Sequence, residues 1–163
     1  VDEMEKMLNE YLQFASTGAK DKTESFDLCK IITEIIEKYQ NPNIKKIFKS
    51  EIFFNGRKNL IKRCINNLID NSLKYGEKIL VNIEKDESNI FLYIHDDGPG
   101  IPENEYKNII KPFYKIDKSR SETKSSVGLG LAISSDIVKS HGGDMNFDVS
   151  NMGGLKVIIT LPF

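Results

Sequence analysis

The sequence predicts an α+β fold, a two-layer α/β sandwich in which helices cover one face of a mixed, mostly antiparallel sheet. Three stretches carry apolar residues at the spacing of an amphipathic helix, at 28–39, 57–75 and 129–140. Apolar and polar residues alternate, as they do on half-buried strands, at 79–84, 90–95, 145–149 and 156–161. Short polar turns join these strands in pairs, and strands joined in this way run antiparallel.

The first half of the domain shows local start and stop signals. Asp27 is placed to cap the helix 28–39, and Pro42 prevents its continuation. We expect two short strands to follow, at 44–48 and 52–54. Asn55-Gly56 is typical of a turn, and the next helix begins directly after it.

The second half continues the alternation of strands and helices. Between the strand 90–95 and the last helix we expect a short helix near 103–110 and a polar stretch at 115–127. The last helix should end at Gly142-Gly143, and the final two strands form a hairpin around 151–154.

The first 15 residues repeat apolar side chains at intervals of three and four, at Val1, Met4, Leu8, Tyr11 and Ala15. This a/d seam indicates either the end of a longer dimerising helix or a terminal helix packed on its own domain. A polar segment with Gly18 follows and is predicted to be a linker. We therefore divide the chain into 1–15, 16–25 and 26–163. Because the helical pattern is already present at Val1, we expect a piece of a longer protein.

The composition is ordinary for a globular domain and argues against two classes of function. Hydrophobic residues make up 39% and charged residues 29%, and the formal net charge is -1 at pH 7. No overall basic field therefore predicts binding to nucleic acid. No apolar run approaches the roughly 20 residues that cross a bilayer. Cys29 and Cys64 match no metal-binding spacing and indicate a reducing compartment.

The helix 57–75 carries the first candidate site. Asn67 and Asn71 are i, i+4 neighbours and Lys74 follows three residues later, so the three side chains share one edge of the helix. Asparagine is a poor helix former, so two at one edge indicate a role. Amide oxygens suit Mg²⁺ and an ammonium group suits phosphate. The alternative is a solvated polar edge.

The second candidate is the segment DDGPGI at 96–101, which comes directly after a strand. Gly98 and Gly100 allow a sharp turn and a close approach of the backbone to a ligand. Asp96, at the end of the strand, is able to accept a hydrogen bond from an exocyclic amine. The alternative is a plain turn, since Asp-Gly and Pro-Gly are common turn pairs.

The third candidate is the segment GLGLAI at 128–133, which opens the last helix. The first N–H groups and the dipole of a helix favour phosphate at this end. The segment is neither a P-loop, which needs G-x-x-x-x-G-K-[ST], nor a dinucleotide-binding fingerprint, because no strand runs directly into it.

The fourth candidate is Pro112-Phe113-Tyr114, flanked by Lys111 and Lys115 and followed by the polar stretch. Its aromatic side chains are able to anchor a lid. The alternative is a surface loop pinned to the core by Phe113.

In this order, the four segments resemble the boxes of the bacterial sensor histidine kinase family, and through it the ATPases of the Bergerat fold. Residues 67–75 look like the asparagine box and 96–101 like the first glycine box. Residues 112–114 look like the phenylalanine box and 128–133 like the second glycine box. Four ordered motifs are much more specific than any one of them, and the resemblance covers about 27–163.

The resemblance implies a site for ATP and Mg²⁺. Asn71 would coordinate Mg²⁺, with Asn67 assisting directly or through water, and Lys74 would contact phosphate. Tyr75 would lie beside the nucleotide, and Asp96 would receive the adenine amino group.

The glycine boxes and the lid would complete this implied site. Gly98 and Gly100 would shape the base pocket, and 115–127 would form the ATP lid. The remaining implied contacts are Ile101, Lys115, Gly128, Leu129, Gly130 and Leu131, of which the two glycines would cradle the phosphates. Lys115 stands where many members carry arginine, and Ser126 where many carry the first glycine of the box. Both departures leave the details of lid closure open.

The resemblance implies transfer to a histidine rather than hydrolysis. In hydrolases of this fold a glutamate one turn before the Mg²⁺-binding asparagine activates water, whereas Asn67 is unable to act as a general base. This argues against gyrase B, mismatch-repair and heat-shock chaperone ATPases and against anti-sigma serine kinases. His95 lies at a strand end and His141 at a helix end, so we expect the phosphoacceptor histidine outside this chain.

The implied partners are the phosphoacceptor histidine domain of the same protein, in cis or in trans, and a cognate response regulator. The helix 1–15 resembles the end of the second dimerisation helix, so we expect a homodimer of the whole protein and a monomer of this piece. By analogy the domain would be cytoplasmic in an inner-membrane protein. The alternative function is a non-catalytic nucleotide-sensing or docking domain of the same fold.

Overall fold

A computed structural model describes residues 2–48, 50–114, 116 and 129–163 of the chain. These residues form helices α1 (Asp2–Lys20), α2 (Leu28–Tyr39), α3 (Lys58–Tyr75) and α4 (Gly130–Ser140). They also form strands β1 (Thr23–Asp27), β2 (Ile44–Ile47), β3 (Phe53–Arg57), β4 (Ile79–Lys85), β5 (Asn89–Asp96), β6 (Asp144–Val149) and β7 (Leu155–Pro162). No described helix is both long enough and apolar enough to span a membrane.

The main sheet has five strands in the order β2-β4-β5-β7-β6. Strand β2 runs parallel to β4, and the other neighbours are antiparallel, with Val81 opposite Ile94 and Ile94 opposite Val157 in the centre. The predicted mixed, mostly antiparallel sheet is therefore confirmed. A separate two-stranded sheet pairs β1 with β3.

The core lies between this sheet and the helices on one of its faces. Alternate residues of β4, β5 and β7 point inward and are buried, among them Val81, Ile94 and Val157. The apolar stripes of α2, α3 and α4 meet them, and the predicted two-layer sandwich is thereby confirmed. Side chains of the other face, such as Phe91 and Tyr93, remain partly exposed and stack on each other.

The segment 16–25, predicted to be a linker, contains regular structure. Helix α1 continues to Lys20, and β1 begins at Thr23. The strand forms because its backbone pairs with β3, with Ser25 opposite Asn55. A polar composition near a glycine was therefore a misleading local signal, since the pairing partner is some 30 residues away in the sequence.

The turn predicted at Asn55-Gly56 is wrong, because both residues lie within β3. A methyl group at position 56 would lie 2.5 Å from Cε2 of Phe54 and 2.9 Å from Cδ2 of His141. Glycine is needed here for close packing on a strand rather than for a turn.

The short helix predicted near 103–110 is also only partly present. A 3-10 helix covers Glu103–Glu105, and turns continue to Ile110.

The hairpin predicted around 151–154 is confirmed: Ser150 N–H donates to the Gly154 carbonyl at 2.8 Å, and Gly153 has a φ of +102°.

Helix α1 lies against α3 by one side only. Phe14 packs against the core, and an Arg63 guanidinium nitrogen donates to the Glu10 carbonyl at 2.9 Å. The predicted seam faces away, since Met4, Leu8, Tyr11 and Ala15 are all exposed, Met4 to 75%. The described part of the domain therefore does not cover this seam.

Helix α3 begins at a cap that comes from a distant part of the chain. Its N-cap residue Arg57 offers no side-chain hydrogen bond. Asp21, which follows α1, instead accepts a hydrogen bond from Leu60 N–H at Oδ2 with a distance of 3.0 Å. A carboxylate at the first turn also interacts favourably with the helix dipole.

Candidate functional site

Asp96 is the last residue of β5 and is buried, with 3% of its surface exposed. Its Oδ1 accepts hydrogen bonds from Gly98 N–H at 3.0 Å and Leu155 N–H at 3.1 Å. No described group donates to Oδ2. Among the described residues, Oδ2 is not one of the side-chain atoms that are enclosed without a hydrogen-bond partner. One oxygen is thus held by the protein and the other is available to a ligand.

The electrostatics of Asp96 follow from this position. Burial raises the pKa of its carboxyl group, and the nearby charge of Asp97 acts in the same direction. The hydrogen bonds from Leu155 and Gly98 oppose the shift, because they stabilise the charged form. A ligand N–H donating to Oδ2 would stabilise that form further.

Gly154 belongs to this site, although the sequence analysis treated it only as part of a hairpin. Its N–H donates to the Asp96 carbonyl at 3.1 Å. A methyl group at position 154 would lie 2.1 Å from Asp96 Oδ1 and 2.6 Å from Gly98 N. The β6–β7 turn therefore forms one wall around Asp96. The Gly153-Gly154 pair was the signal available in the sequence.

The segment after Asp96 lies against the end of α3. A methyl group at Gly98 would be 2.7 Å from the Tyr75 carbonyl oxygen, so the two backbones touch. Gly100 has a φ of +72°, a left-handed conformation that favours glycine. Ile101 follows and packs on the edge of the core. The structure thus brings Asp96, Gly98 and Tyr75 together.

The predicted polar edge of α3 leads into the same region. Asn67 and Asn71 are partly exposed on successive turns, and Lys74 and Tyr75 form the last turn. Lys74 Nζ lies 5.4 Å from the centroid of the Tyr75 ring. Partial burial raises the pKa of the Tyr75 hydroxyl group. Along α3, the edge therefore carries two amide side chains and then, at the end nearest to Gly98, a cation.

Helix α4 runs beside α3 and begins next to Asn67. The two backbones are linked by Ser134 Oγ, which donates to the Cys64 carbonyl at 3.4 Å. A methyl group at Gly130 would lie 4.0 Å from the Asn67 Cβ. Leu129 makes no side-chain cap to the helix. The start of α4, including Leu131, therefore presents its first N–H groups beside the asparagine edge.

Part of the predicted site lies outside the described residues. Lys115, Ser126 and Gly128 belong to that part, with most of the predicted lid. Phe113 is described and has a φ of +66° with 57% of its side chain exposed, so it does not pin the loop to the core. The neighbouring Tyr114 hydroxyl donates to the Glu105 carboxylate.

The residues of α3 fit a metal that takes few protein ligands. Among the described residues, no group of three or more histidine, cysteine, aspartate or glutamate side chains is placed to hold a metal ion. No described group hydrogen-bonds to the side-chain amides of Asn67 and Asn71. Mg²⁺ keeps several waters and uses one or two protein oxygens together with phosphate. The two amides are chemically suited to that role.

The two histidines have structural surroundings. His141 caps the end of α4: its Nε2 accepts from Arg57 N–H at 3.0 Å, and Nδ1 donates to the Ile137 carbonyl at 2.7 Å. This agrees with its predicted position at a helix end. His95 lies 3.0 Å from Ser150 Oγ through Nδ1. Burial lowers the pKa of both imidazoles.

The model of the histidine kinase-, DNA gyrase B-, and HSP90-like ATPase family matches residues 56–163, about two thirds of the chain. The chain belongs to this ATPase family. The matched range contains the asparagine edge of α3, the Asp96 carboxylate and the start of α4. The domain of this family binds ATP.

Curated relatives of this ATPase family resemble nearly the whole chain. The sensor histidine kinase GtrS of Pseudomonas aeruginosa is 33% identical over 99% of the chain and 34% of its own length. The sensor histidine kinase WalK of Bacillus subtilis is 25% identical over 99% of the chain and 29% of its own length. The chain thus spans about a third of the curated relatives it matches.

Solved structures of the ATPase family have the same architecture. The mycobacterial sensor histidine kinase MprB superposes with a TM-score of 0.74 at 25% identity, over 86% of this chain and 97% of that one. The catalytic domain of the histidine kinase ThkA gives a TM-score of 0.72 at 25% identity over the same shares. The fold is therefore the Bergerat fold, and the chain is an ATP-binding catalytic domain of the sensor histidine kinase type.

Proposed function

We propose that this domain binds Mg-ATP and transfers its γ-phosphoryl group to a histidine outside the chain. The observation that carries the proposal is the Asp96 carboxylate, in which Oδ1 is held by two backbone N–H groups and Oδ2 is available. A buried acceptor with one fixed orientation suits an exocyclic amine such as that of adenine. The proposal assigns this contact to Oδ2.

The rest of the nucleotide would extend from Asp96 toward α3 and α4. Tyr75 touches the Gly98 backbone and would lie beside the base and ribose. Gly98, Gly100 and Ile101 would complete the base pocket. Lys74 would contact phosphate as a cation, and the first N–H groups of α4 at Gly130 would donate hydrogen bonds to the phosphate oxygens. Leu129, Leu131, Lys115 and Gly128 are assigned to the same phosphate region.

Asn71 is the residue proposed to hold Mg²⁺, with Asn67 assisting. Bound Mg²⁺ would neutralise charge on the phosphate oxygens and hold them for in-line transfer. The amide oxygens of α3 would supply neutral ligands and leave the remaining positions to water and phosphate. Lys74 and the start of α4 would share the charge that develops on the departing ADP.

The proposed reaction forms a nitrogen–phosphorus bond between an imidazole and the γ-phosphorus as the bond to the β–γ bridging oxygen breaks. Hydrolysis would need a base beside the phosphate, and Asn67 is not one. Asp70, the single carboxylate of α3, is engaged elsewhere: the Tyr39 hydroxyl donates to its Oδ1 at 2.7 Å. We therefore assign slow intrinsic hydrolysis to this domain.

The partners of the proposed reaction lie outside the chain. They are the phosphoacceptor histidine domain of the same protein and a response regulator. The exposed seam of α1 supports pairing with further helices in a homodimer. We also propose a cytoplasmic position in a membrane-attached parent protein, by analogy with sensor kinases. A non-catalytic nucleotide-sensing or docking domain is the competing function, and it would bind ATP without any transfer.

Calorimetric titration of ATP in the presence of Mg²⁺ tests the binding step. The wild-type chain should bind, and Asp96→Asn should lose most of the affinity, because an amide presents a donor or a neutral acceptor where the carboxylate stood. Transfer is tested by adding the phosphoacceptor domain of the parent protein with labelled ATP. Binding without transfer would support the non-catalytic function, and the absence of binding would refute both.

A further inference from the structure

Asp97 does not face the proposed base pocket but holds the chain that leaves α3. Its Oδ1 accepts hydrogen bonds from Glu77 N–H at 2.8 Å and from Lys78 N–H at 2.9 Å. These two amides belong to the connection between α3 and β4. The carboxylate next to Asp96 therefore ties that connection to the end of β5.

The contact between these two segments is tight on both sides. A methyl group at Gly76 would lie 2.9 Å from Asp97 Oδ1 and 3.1 Å from Gly98 N. A methyl group at Gly98 would lie 2.7 Å from the Tyr75 carbonyl oxygen. Two glycines thus let the backbones touch, and Asp97 supplies the hydrogen bonds that hold them in that position.

The charge of Asp97 is suited to this contact. The two backbone N–H groups lower the pKa of its carboxyl group, and the ammonium of Lys78 acts in the same direction. Asp97 is therefore ionised at neutral pH, and charge-assisted hydrogen bonds are the stronger kind.

We infer that Asp97 is a positioning residue of the proposed ATP site. It holds the end of α3, with Lys74 and Tyr75, at the distance from Asp96 that a nucleoside triphosphate requires. Asp96 itself is held by Gly98 and Leu155, so its orientation does not depend on Asp97. Loss of the Asp97 contact should therefore affect the sugar and phosphate side of the ligand more than the base. This inference rests on the proposed function, because it uses the roles assigned there to Asp96 and Lys74.

Asp86 provides a matched control in another part of the domain. Its Oδ1 accepts from Ser88 N–H at 2.8 Å and from Asn89 N–H at 2.7 Å in the turn between β4 and β5. The arrangement of one carboxylate oxygen and two backbone donors is the same as at Asp97. Asp86→Ala therefore reproduces the local loss of hydrogen bonds without touching the ATP site.

The experiment compares the binding of ATP with that of adenosine by titration in Asp97→Ala, Asp97→Asn and Asp86→Ala. We expect Asp97→Ala to bind ATP about tenfold more weakly and adenosine within about twofold of the wild type. Asp97→Asn keeps an oxygen acceptor and should restore ATP binding to within about twofold. Asp86→Ala should lower the melting temperature in the same way as Asp97→Ala but bind both ligands normally.

Gly76→Ala perturbs the same contact from the other side and serves if Asp97→Ala does not fold. The added methyl group would lie 2.9 Å from Asp97 Oδ1 and 3.2 Å from Asp96 Cβ, so it should move the Asp97 carboxylate most, and ATP binding should fall more than adenosine binding. Equal weakening of both ligands, or unchanged ATP binding in Asp97→Ala and Gly76→Ala, would overturn the inference. Wild-type binding that depends on Asp96 would in that case still support the proposed function. If the wild type binds neither ligand, the proposed function fails and this inference with it.

Discussion

The backbone N–H of Leu155 donates to Oδ1 of Asp96 across 59 positions of the sequence. This bond joins the β6–β7 hairpin to the end of β5 and leaves Oδ2 of the carboxylate as its available acceptor. The hairpin turn therefore borders the proposed ATP site rather than being a remote connection. Its glycines should matter for binding as well as for folding.

Gly154→Ala should abolish ATP binding. The methyl group would lie 2.1 Å from Asp96 Oδ1 and 2.5 Å from the Asp96 carbonyl oxygen, so the carboxylate has to leave its position. Titration with ATP measures the loss. Gly153→Ala is the control, because its added methyl group would have no heavy atom within 4 Å, although the residue keeps the unfavourable φ of +102°. It should lower stability and bind ATP normally; equal binding by both variants would contradict the assignment of the turn to the site.

The stability of the domain should fall as the pH is lowered from 7 toward 5, in part because of His141. Arg57 N–H is able only to donate, so His141 Nε2 must be the unprotonated nitrogen and Nδ1 carries the proton. Burial, and the nearby Arg57 charge, lower its pKa below the ordinary 6.5, although the Ile137 bond and Asp21 act against the shift. Below pH 6.5 the unfolded chain therefore binds more protons, and the native state loses stability as the pH falls toward the lowered pKa.

The measurement is the free energy of unfolding in denaturant at several pH values, for the wild type and His141→Phe. The variant leaves Arg57 N–H without its acceptor and should be less stable by about 1–3 kcal/mol near pH 7. Its pH dependence should be shallower, with the remaining slope including a contribution from His95. A parallel pH profile in both proteins would show that His141 does not titrate as described.

Asp21→Ala should lower the free energy of unfolding by about 0.5–2 kcal/mol, the range measured for loss of a helix N-cap. The carboxylate satisfies Leu60 N–H at the start of α3, and Arg57 offers no side-chain substitute. Denaturant unfolding compares this variant with Lys22→Ala, an exposed neighbour that makes no described cap. A loss no larger than that of the control would mean that water replaces the cap.

The long helices and the last four strands could be predicted because their signals are local. The stripe of α3 places Asn67, Asn71 and Lys74 on one edge by helical geometry alone, and the structure keeps them there. Alternation likewise predicted β4, β5, β6 and β7 to within a residue or two at each end. Periodicity of this kind does not depend on which distant segment packs against the element.

The parts that sequence reasoning missed depend on contacts between distant segments. Asn55-Gly56 has the composition of a turn, but Gly56 is a strand residue because Phe54 and His141 pack over it. The role of Gly154 depends on Asp96, and the cap of α3 depends on Asp21. No local pattern reports such pairings, because the same dipeptides and carboxylates are common in ordinary turns.

Asn71→Ala should remove the Mg²⁺ dependence of ATP binding and leave the metal-free affinity nearly unchanged. The proposed role of Asn71 is to supply an amide oxygen to the metal, and alanine has none. Titrations of ATP with Mg²⁺ and with a chelator measure the two affinities separately. Asn66→Ala is the matched control, because Asn66 lies on the same helix but donates to the Lys62 carbonyl at 3.0 Å. The control should respond to Mg²⁺ as the wild type does. If Asn71→Ala keeps the full effect of Mg²⁺, the metal is held by other groups and the assignment of Asn71 is wrong.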